Sequence, residues 1–257
     1  MCTRLQSYLH KLIKNFTNFL TTNEIDTVVL GVSGGIDSAL SLAILSNLPI
    51  KISIKAYFLD IESTNHDKQD IFILQKQYPM IEVVDLKTIY DSYQTMMQNQ
   101  FTNPIVYDNL KTRIRNNYLY AVANEYQGIV ISSLNFDEYH LGFFTKNGDN
   151  NADYHLLIGL LKTQIYKLAA YFQLPKSIID KKPSPGFNDL SDYDILGFNY
   201  QDYERNLLGY KTANTKHLLK IKEQIKKNTH KHFTINRYVF TKEVQTIYDQ
   251  WFKPTNK

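Results

Sequence analysis

The fold class predicted for this chain is doubly wound α/β, a parallel sheet with helices on both faces. Short β-rich runs at Thr27 to Val32, Ile52 to Leu59 and Ile81 to Leu86 are each followed by a helical pattern. A fourth run, Ile129 to Ser133, follows a long helix at Asn109 to Tyr126. Strands alternating with helices demand right-handed crossovers, and those place the strands parallel. Ligands of such sheets sit beyond the carboxyl ends of the strands, so the segments after Val32, Leu59 and Ser133 should line one cleft.

The first twenty residues put Leu5, Leu9, Leu12, Ile13, Phe16 and Leu20 on one stripe broken by Lys11 and Lys14. That is an amphipathic helix packed on the body and not a secretion signal. Residues 142 to 153, GFFTKNGDNNAD, read as a polar loop, and Lys162 to Gln173 as the next helix. KKPSPGFNDLSD, residues 181 to 192, has two prolines and no periodicity, which predicts a lid or an ordered functional loop. Helices are expected at Tyr203 to Leu208 and Asn214 to Lys227, with a last short one at Lys242 to Phe252. No repeat or linker divides the chain, so residues 1–257 are read as a single domain with helical N- and C-terminal additions.

Composition sets limits. An apolar fraction of 43% supports a sizeable core, and a net charge of +4 fits a phosphate-bearing small molecule as well as it fits nucleic acid. A single cysteine, Cys2, excludes a disulfide framework and a cysteine-based zinc site, which points to a reducing, cytoplasmic setting. No stretch reaches the roughly 18 apolar residues of a membrane span.

The chemistry concentrates at GVSGGIDS, residues 31 to 38, directly after the first strand. A glycine-rich turn entering a helix offers unpaired N–H groups and the positive dipole end to an anion. Gly34 and Gly35 let the backbone approach a phosphate, while Ser33 and Ser38 add hydroxyl groups. The bland alternative is a tight turn with an N-capping serine. No lysine followed by Ser or Thr makes this a Walker loop, and the glycine spacing is wrong for a dinucleotide fingerprint. Asp37 discriminates further: a carboxylate beside phosphates is repelled unless a cation lies between them, which predicts Mg²⁺.

This stretch resembles the signature SGGxDS of the N-type ATP pyrophosphatases, with Ile36 in the free position. NLKTRIRNNYLYAVANEY (109 to 126), SSLNFDEYHLGFFTKNGDNNAD (132 to 153) and LLKTQIYKLA (160 to 169) together resemble the ammonia-dependent NAD synthetase family over most of the chain. The resemblance implies an adenine nucleotide alpha hydrolase-like fold and amidation of deamido-NAD at its nicotinate carboxylate. ATP is the co-substrate, and the products are NAD, AMP and pyrophosphate.

Matching positions imply ATP contacts from Gly31, Val32, Ser33, Gly34, Gly35, Ile36, Asp37, Ser38, Ser133, Lys162 and Ser184. Asp37, Glu138 and Asp149 are implied metal ligands, hard oxygens suited to Mg²⁺. Asn109, Arg113, Lys146, Asp153, His230 and Lys231 match positions that hold deamido-NAD. Asp37, Lys162 and Asp153 are the expected catalytic residues, with Asp153 orienting ammonium or taking its proton. Lys162 opens a helix, where a cation is unfavourable for the dipole, and a nearby phosphate is the expected reason for it.

Arg113 and Arg115 lie about 200° apart on a helix, so the first is assigned to the ligand and the second to the surface or a subunit contact. A metal site in the HKH run at 230 to 232 is set aside, because adjacent residues diverge in direction. GDNNAD, SSLN, Ser184 and His232 depart from the usual family pattern. The rival readings are a tRNA-modifying or GMP-forming enzyme of the same superfamily, and a non-catalytic adenine-nucleotide-binding protein. Catalysis by Cys2 is set aside, because no glutaminase domain precedes the first strand; free ammonia is the expected donor. The partners implied are small molecules and a second copy of the chain in a homodimer, with no nucleic acid and no membrane.

Overall fold

The computed structural model describes residues 3–97, 100–184, 190–210 and 215–232. Five strands form one sheet: β1 (Thr27–Gly31), β2 (Ser53–Asp60), β3 (Ile81–Asp85), β4 (Ile129–Ser132) and β5 (Tyr154–His155). Their order is β3-β2-β1-β4-β5, and every pairing is parallel. Leu30 sits between Ala56 of β2 and Ile131 of β4. The chain leaves β1 for β2 and β3 on one side and reaches β4 and β5 on the other, so the topological switch point lies between β1 and β4.

Helices cover both faces. They are α1 (Thr3–Thr22), α2 (Ile36–Ser46), α3 (Asn65–Gln77), α4 (Lys87–Met97), α5 (Pro104–Glu125), α6 (Phe136–Leu141), α7 (Lys162–Tyr171), α8 (Lys176–Ile179), α9 (Asp192–Leu196), α10 (Tyr200–Leu207) and α11 (Thr215–Asn228), with a 3₁₀ turn at Thr229–Lys231. Side chains alternate across a strand, so Val28 and Leu30 join a core with α1, α2, α3, α7 and α8, while Val29 joins α4 and α5 on the other face. Both faces of β1 are therefore fully buried. A third, smaller cluster of Leu141, Leu196, Phe198, Tyr200, Tyr203 and Ile221 holds α9 to α11 against α6.

The N-terminal stripe does what its spacing predicts. Leu5, Leu9, Phe16 and Leu20 are buried, and the Phe16 ring lies 4.5 Å from that of Tyr154 on β5. Two differences from the sequence reading stand out. Residues expected as loop up to Asp153 run directly into the two-residue edge strand β5, which pairs Tyr154 with Ile131; a strand that short leaves no alternation to read. Helix α5 begins at Pro104 with Asn103 as its cap, a turn earlier than expected, using proline's preset φ at the helix start. The expected helix at Lys242 to Phe252 lies outside the described residues. Among the described residues no helix is long and apolar enough to cross a membrane.

Because Phe16 is fully buried and anchors α1 to β5, Phe16→Ala should destabilise the protein by about 3–5 kcal/mol in a urea titration. A loss below about 1 kcal/mol would show α1 to be a dispensable appendage.

Candidate active site

The glycine loop follows β1 as expected. Gly34 has φ +81°, and a Cβ there would lie 3.2 Å from the Asp67 carbonyl oxygen, so both backbone geometry and the close approach of α3 select glycine. The two serines tie the loop to itself. The Ser33 N–H donates to Ser38 Oγ at 3.1 Å, Gly35 N–H donates to Ser33 Oγ at 3.3 Å, and Ser38 Oγ donates to the Gly35 carbonyl at 3.1 Å. Gly35 is the N-cap of α2 and contributes no side-chain cap. The first N–H groups of that helix are thus left for an anion.

Three helix starts meet beside this loop. Asp37 lies in the first turn of α2, Glu138 in the first turn of α6, and Lys162 opens α7. The Lys162 ammonium donates to Asp37 Oδ2 at 2.6 Å and to Glu138 Oε1 at 3.1 Å. Lys162 is 4% exposed, which removes the reading of a surface lysine. Burial opposes its charge, yet Asp37 and Glu138 hold its pKa above the ordinary lysine range. Glu138 shares that one ammonium with Asp37, and burial raises it from the usual carboxylate range.

Asn135 is a residue that sequence reasoning missed. It is fully buried and donates through Nδ2 to Asp37 Oδ1 at 2.9 Å, while its Oδ1 accepts from the Glu138 N–H at 3.0 Å. Its side chain thereby orients the Asp37 carboxylate and caps the helix that bears Glu138, whose Oε2 accepts the Asn135 backbone N–H at 3.4 Å. The signal was present as N-x-x-E, a capping pair just before a short apolar run. Asp192 and Tyr200 were also missed. The Tyr200 hydroxyl donates to Asp192 Oδ2 at 2.8 Å, and Lys162 Nζ lies 5.5 Å from the Tyr200 ring centroid.

Ser133, expected at ATP, has a buried hydroxyl without a partner, which suits a ligand contact. Ser184 is exposed beside Pro183, whose carbonyl accepts from the Asp192 N–H at 2.8 Å. That bond pinches the base of the 181 to 192 segment.

The residues expected at the second substrate gather around segment 142–149. Arg113 Nε donates to the Lys146 carbonyl at 3.2 Å, and Thr145 Oγ1 donates to Asn109 Oδ1 at 2.8 Å. Lys231 Nζ donates to the carbonyls of Gly142 and Phe144 at 2.7 and 2.8 Å. His230 is exposed on the same 3₁₀ turn. Arg115 is not at the surface. Its guanidinium donates to the carbonyls of Leu59 and Ile61 at 2.9 and 3.3 Å, because its turn of the helix faces the end of β2.

Two of the expected acids make hydrogen bonds within the protein. Asp149 does not join Asp37 and Glu138 around the ammonium; its Oδ1 accepts the Thr145 N–H at 2.7 Å and stabilises its own turn. Among the described residues no group of three or more His, Cys, Asp and Glu side chains is arranged to hold a metal. Asp153 accepts the Val130 N–H at 2.7 Å and the Tyr120 hydroxyl at 3.5 Å, so its carboxylate is held between β4 and α5. Burial and Asp153 together push the Tyr120 phenol up to about 12, which keeps that donor protonated.

An uncapped glycine-loop helix at the switch point of a parallel sheet, with a lysine and two acids facing it, defines a nucleotide-binding α/β enzyme site. The NAD synthase family model matches residues 8–249, and the chain belongs to that family of enzymes. An NH(3)-dependent NAD(+) synthetase of Picrophilus torridus is 36% identical over 202 residues, spanning 76% of this chain and 80% of that protein. Among solved structures, the NMN synthetase of Francisella tularensis superposes with a TM-score of 0.86 at 30% identity, covering 92% of this chain and 99% of that one. The NH3-dependent NAD synthetase of Campylobacter jejuni, at 23% identity and the same coverage, has a TM-score of 0.74 and shares the fold. Family membership supports ATP-dependent amidation of deamido-NAD as the reaction.

Since the Asn135 side chain orients the Asp37 carboxylate and caps the helix that carries Glu138, Asn135→Ala should lower kcat/KM by about 10- to 100-fold while leaving the circular dichroism spectrum intact. Unchanged kinetics would remove Asn135 from the site.

Proposed function

We propose that this chain converts deamido-NAD to NAD with ATP and ammonia, releasing AMP and pyrophosphate through an adenylated nicotinate carboxylate. The observation that carries this reading is the convergence of Asp37, Glu138 and Lys162 beside the open N-terminus of α2. A protein that merely binds nucleotide has no use for a buried cation at that point. Residues 31 to 38, Ser133, Lys162 and Ser184 hold ATP. The N–H groups of α2 and the Lys162 ammonium meet the charge that grows on departing pyrophosphate, so the catalysis is positioning and electrostatics.

Asp37 and Glu138 fit Mg²⁺: two hard carboxylates from separate loops already converge on one cation, the Lys162 ammonium. Such an ion, when bound, neutralises phosphate charge. Asp149 serves by shaping the turn at 145 to 149 and not as a third ligand. Asn109, Arg113, Lys146, His230 and Lys231 line the side that receives the pyrophosphate of deamido-NAD. Asp153 orients ammonium or accepts its proton, with Tyr120 holding the carboxylate in place. The enzyme works as a homodimer in a reducing cytoplasm, as its lone cysteine suits.

A second reading concerns the acceptor. The TM-score of 0.86 with the Francisella NMN synthetase supports a mononucleotide, the nicotinate analogue of NMN, amidated by the same chemistry, while the 36% identity to the Picrophilus NAD(+) synthetase supports the dinucleotide. The comparison of kcat/KM for the two acceptors separates them. Pyrophosphate release should require ammonium together with deamido-NAD and should stop on chelation of divalent cations. Release with the mononucleotide alone would favour the second reading, and release with neither acceptor would exclude both.

A further inference from the structure

We propose that Lys181 is a positioning residue for the ATP site, a clip that fixes the segment bearing Ser184 against the glycine loop. The inference rests on the assignment of these two segments to ATP. They come from distant parts of the sequence, and α3 lies between them. Lys181 Nζ donates to Asp67 Oδ1 at 2.7 Å and to Asp70 Oδ2 at 2.9 Å, both on the first turns of α3. The same turns touch the glycine loop: a Cβ on Gly34 would lie 3.2 Å from the Asp67 carbonyl oxygen and 3.5 Å from Asp70 Cβ. Three residues after Lys181 stands Ser184, and the Asp192 N–H to Pro183 carbonyl bond fixes the neck between them.

The clip is rigid at its α3 end. Thr64 Oγ1 accepts the Asp67 N–H at 3.1 Å and donates to Asp67 Oδ2 at 2.7 Å, which locks that carboxylate and leaves Oδ1 to Lys181. The Asp70 side chain is 2% exposed and is also met by His66 Nδ1 at 3.0 Å. A lysine that served solubility would not bridge two acids, one of them buried. A pair that served stability alone would not need to sit under Gly34 and three residues from Ser184. While the Lys181 bonds hold, the 181 to 184 segment keeps its place on α3, and α3 in turn packs closely against Gly34.

Removing only the lysine leaves Asp70 buried without its ammonium, so Lys181→Met risks misfolding. The double variant Lys181→Met/Asp70→Asn removes both charges and is the test to use, with Lys181→Arg as the rescue. Calorimetric titration with a non-hydrolysable ATP analogue, together with steady-state kinetics, should show nucleotide affinity weakened about tenfold in the double variant. The KM for deamido-NAD should stay at the parent value, and Lys181→Arg should bind the analogue like the parent. Nucleotide affinity equal to the parent's in a folded double variant overturns the proposal. Gly34→Val and Ser184→Ala separate the two levels: if they weaken the analogue and the double variant does not, the clip alone falls. If all three bind it like the parent, the assignment of these segments to ATP falls with it.

Discussion

The buried ammonium of Lys162 between Asp37 and Glu138 is the constraint on which the rest of the cleft depends. It joins the turn after β1, the turn after β4 and the start of α7, three connections that share no sequence neighbourhood. A buried cation is costly, and removing either acid would leave charge uncompensated. The dipole penalty for a lysine at a helix start is met by two further acids. The Lys162 N–H donates to Asp137 Oδ2 at 3.0 Å, and the Thr163 N–H donates to Glu204 Oε1 at 2.9 Å. Burial and the neighbouring Glu204 raise Asp137 above the usual carboxylate range. The N-terminus of α7 is thus served by carboxyl groups from α6 and α10, which frees its first side chain to face the glycine loop.

The two halves of the cleft are built differently. Around the glycine loop the parts are helix N-termini and a loop closed by its own serines, and geometry is set by backbone. Along α5 the parts are side chains that meet segment 142–149: Arg113 donates to the Lys146 carbonyl, and Asn109 accepts from the Thr145 hydroxyl. Asn116 adds to this by donating to the Asn151 carbonyl at 2.8 Å while its own Oδ1 accepts from the Asn151 amide at 2.9 Å. Of the two asparagines at 150 and 151, Asn151 is therefore part of the clamp. Strand β5 then begins where Asp153 takes up the ladder, its N–H donating to the Val130 carbonyl at 2.9 Å.

Legibility in the sequence followed the range of the interactions. The four longer strands, α1, α2 and α7 were readable because burial imposes local periodicity, and the glycine loop because Gly34 needs a conformation that other residues resist. Strand β5 was not, since two residues carry no pattern. Asn135 was passed over because its importance lies in reaching Asp37, a contact across 98 positions that no local spacing encodes. The bond from the Thr145 N–H to Asp149 Oδ1 was likewise not legible, because it is set by how the turn closes. Position along a motif reports which residues matter, and three-dimensional reach decides what each one does.

Helix α5 shows how that reach can be argued from geometry. Two arginines two residues apart point to nearly opposite sides, so they cannot share a partner. Arg113 turns to the Lys146 carbonyl, and Arg115 turns to the Leu59 and Ile61 carbonyls where β2 ends. The guanidinium of Arg115 thus supplies donors to carbonyls past Tyr57, where the pairing of β2 with β1 stops. One helix therefore fixes the end of β2 with one face and the 142–149 segment with the other.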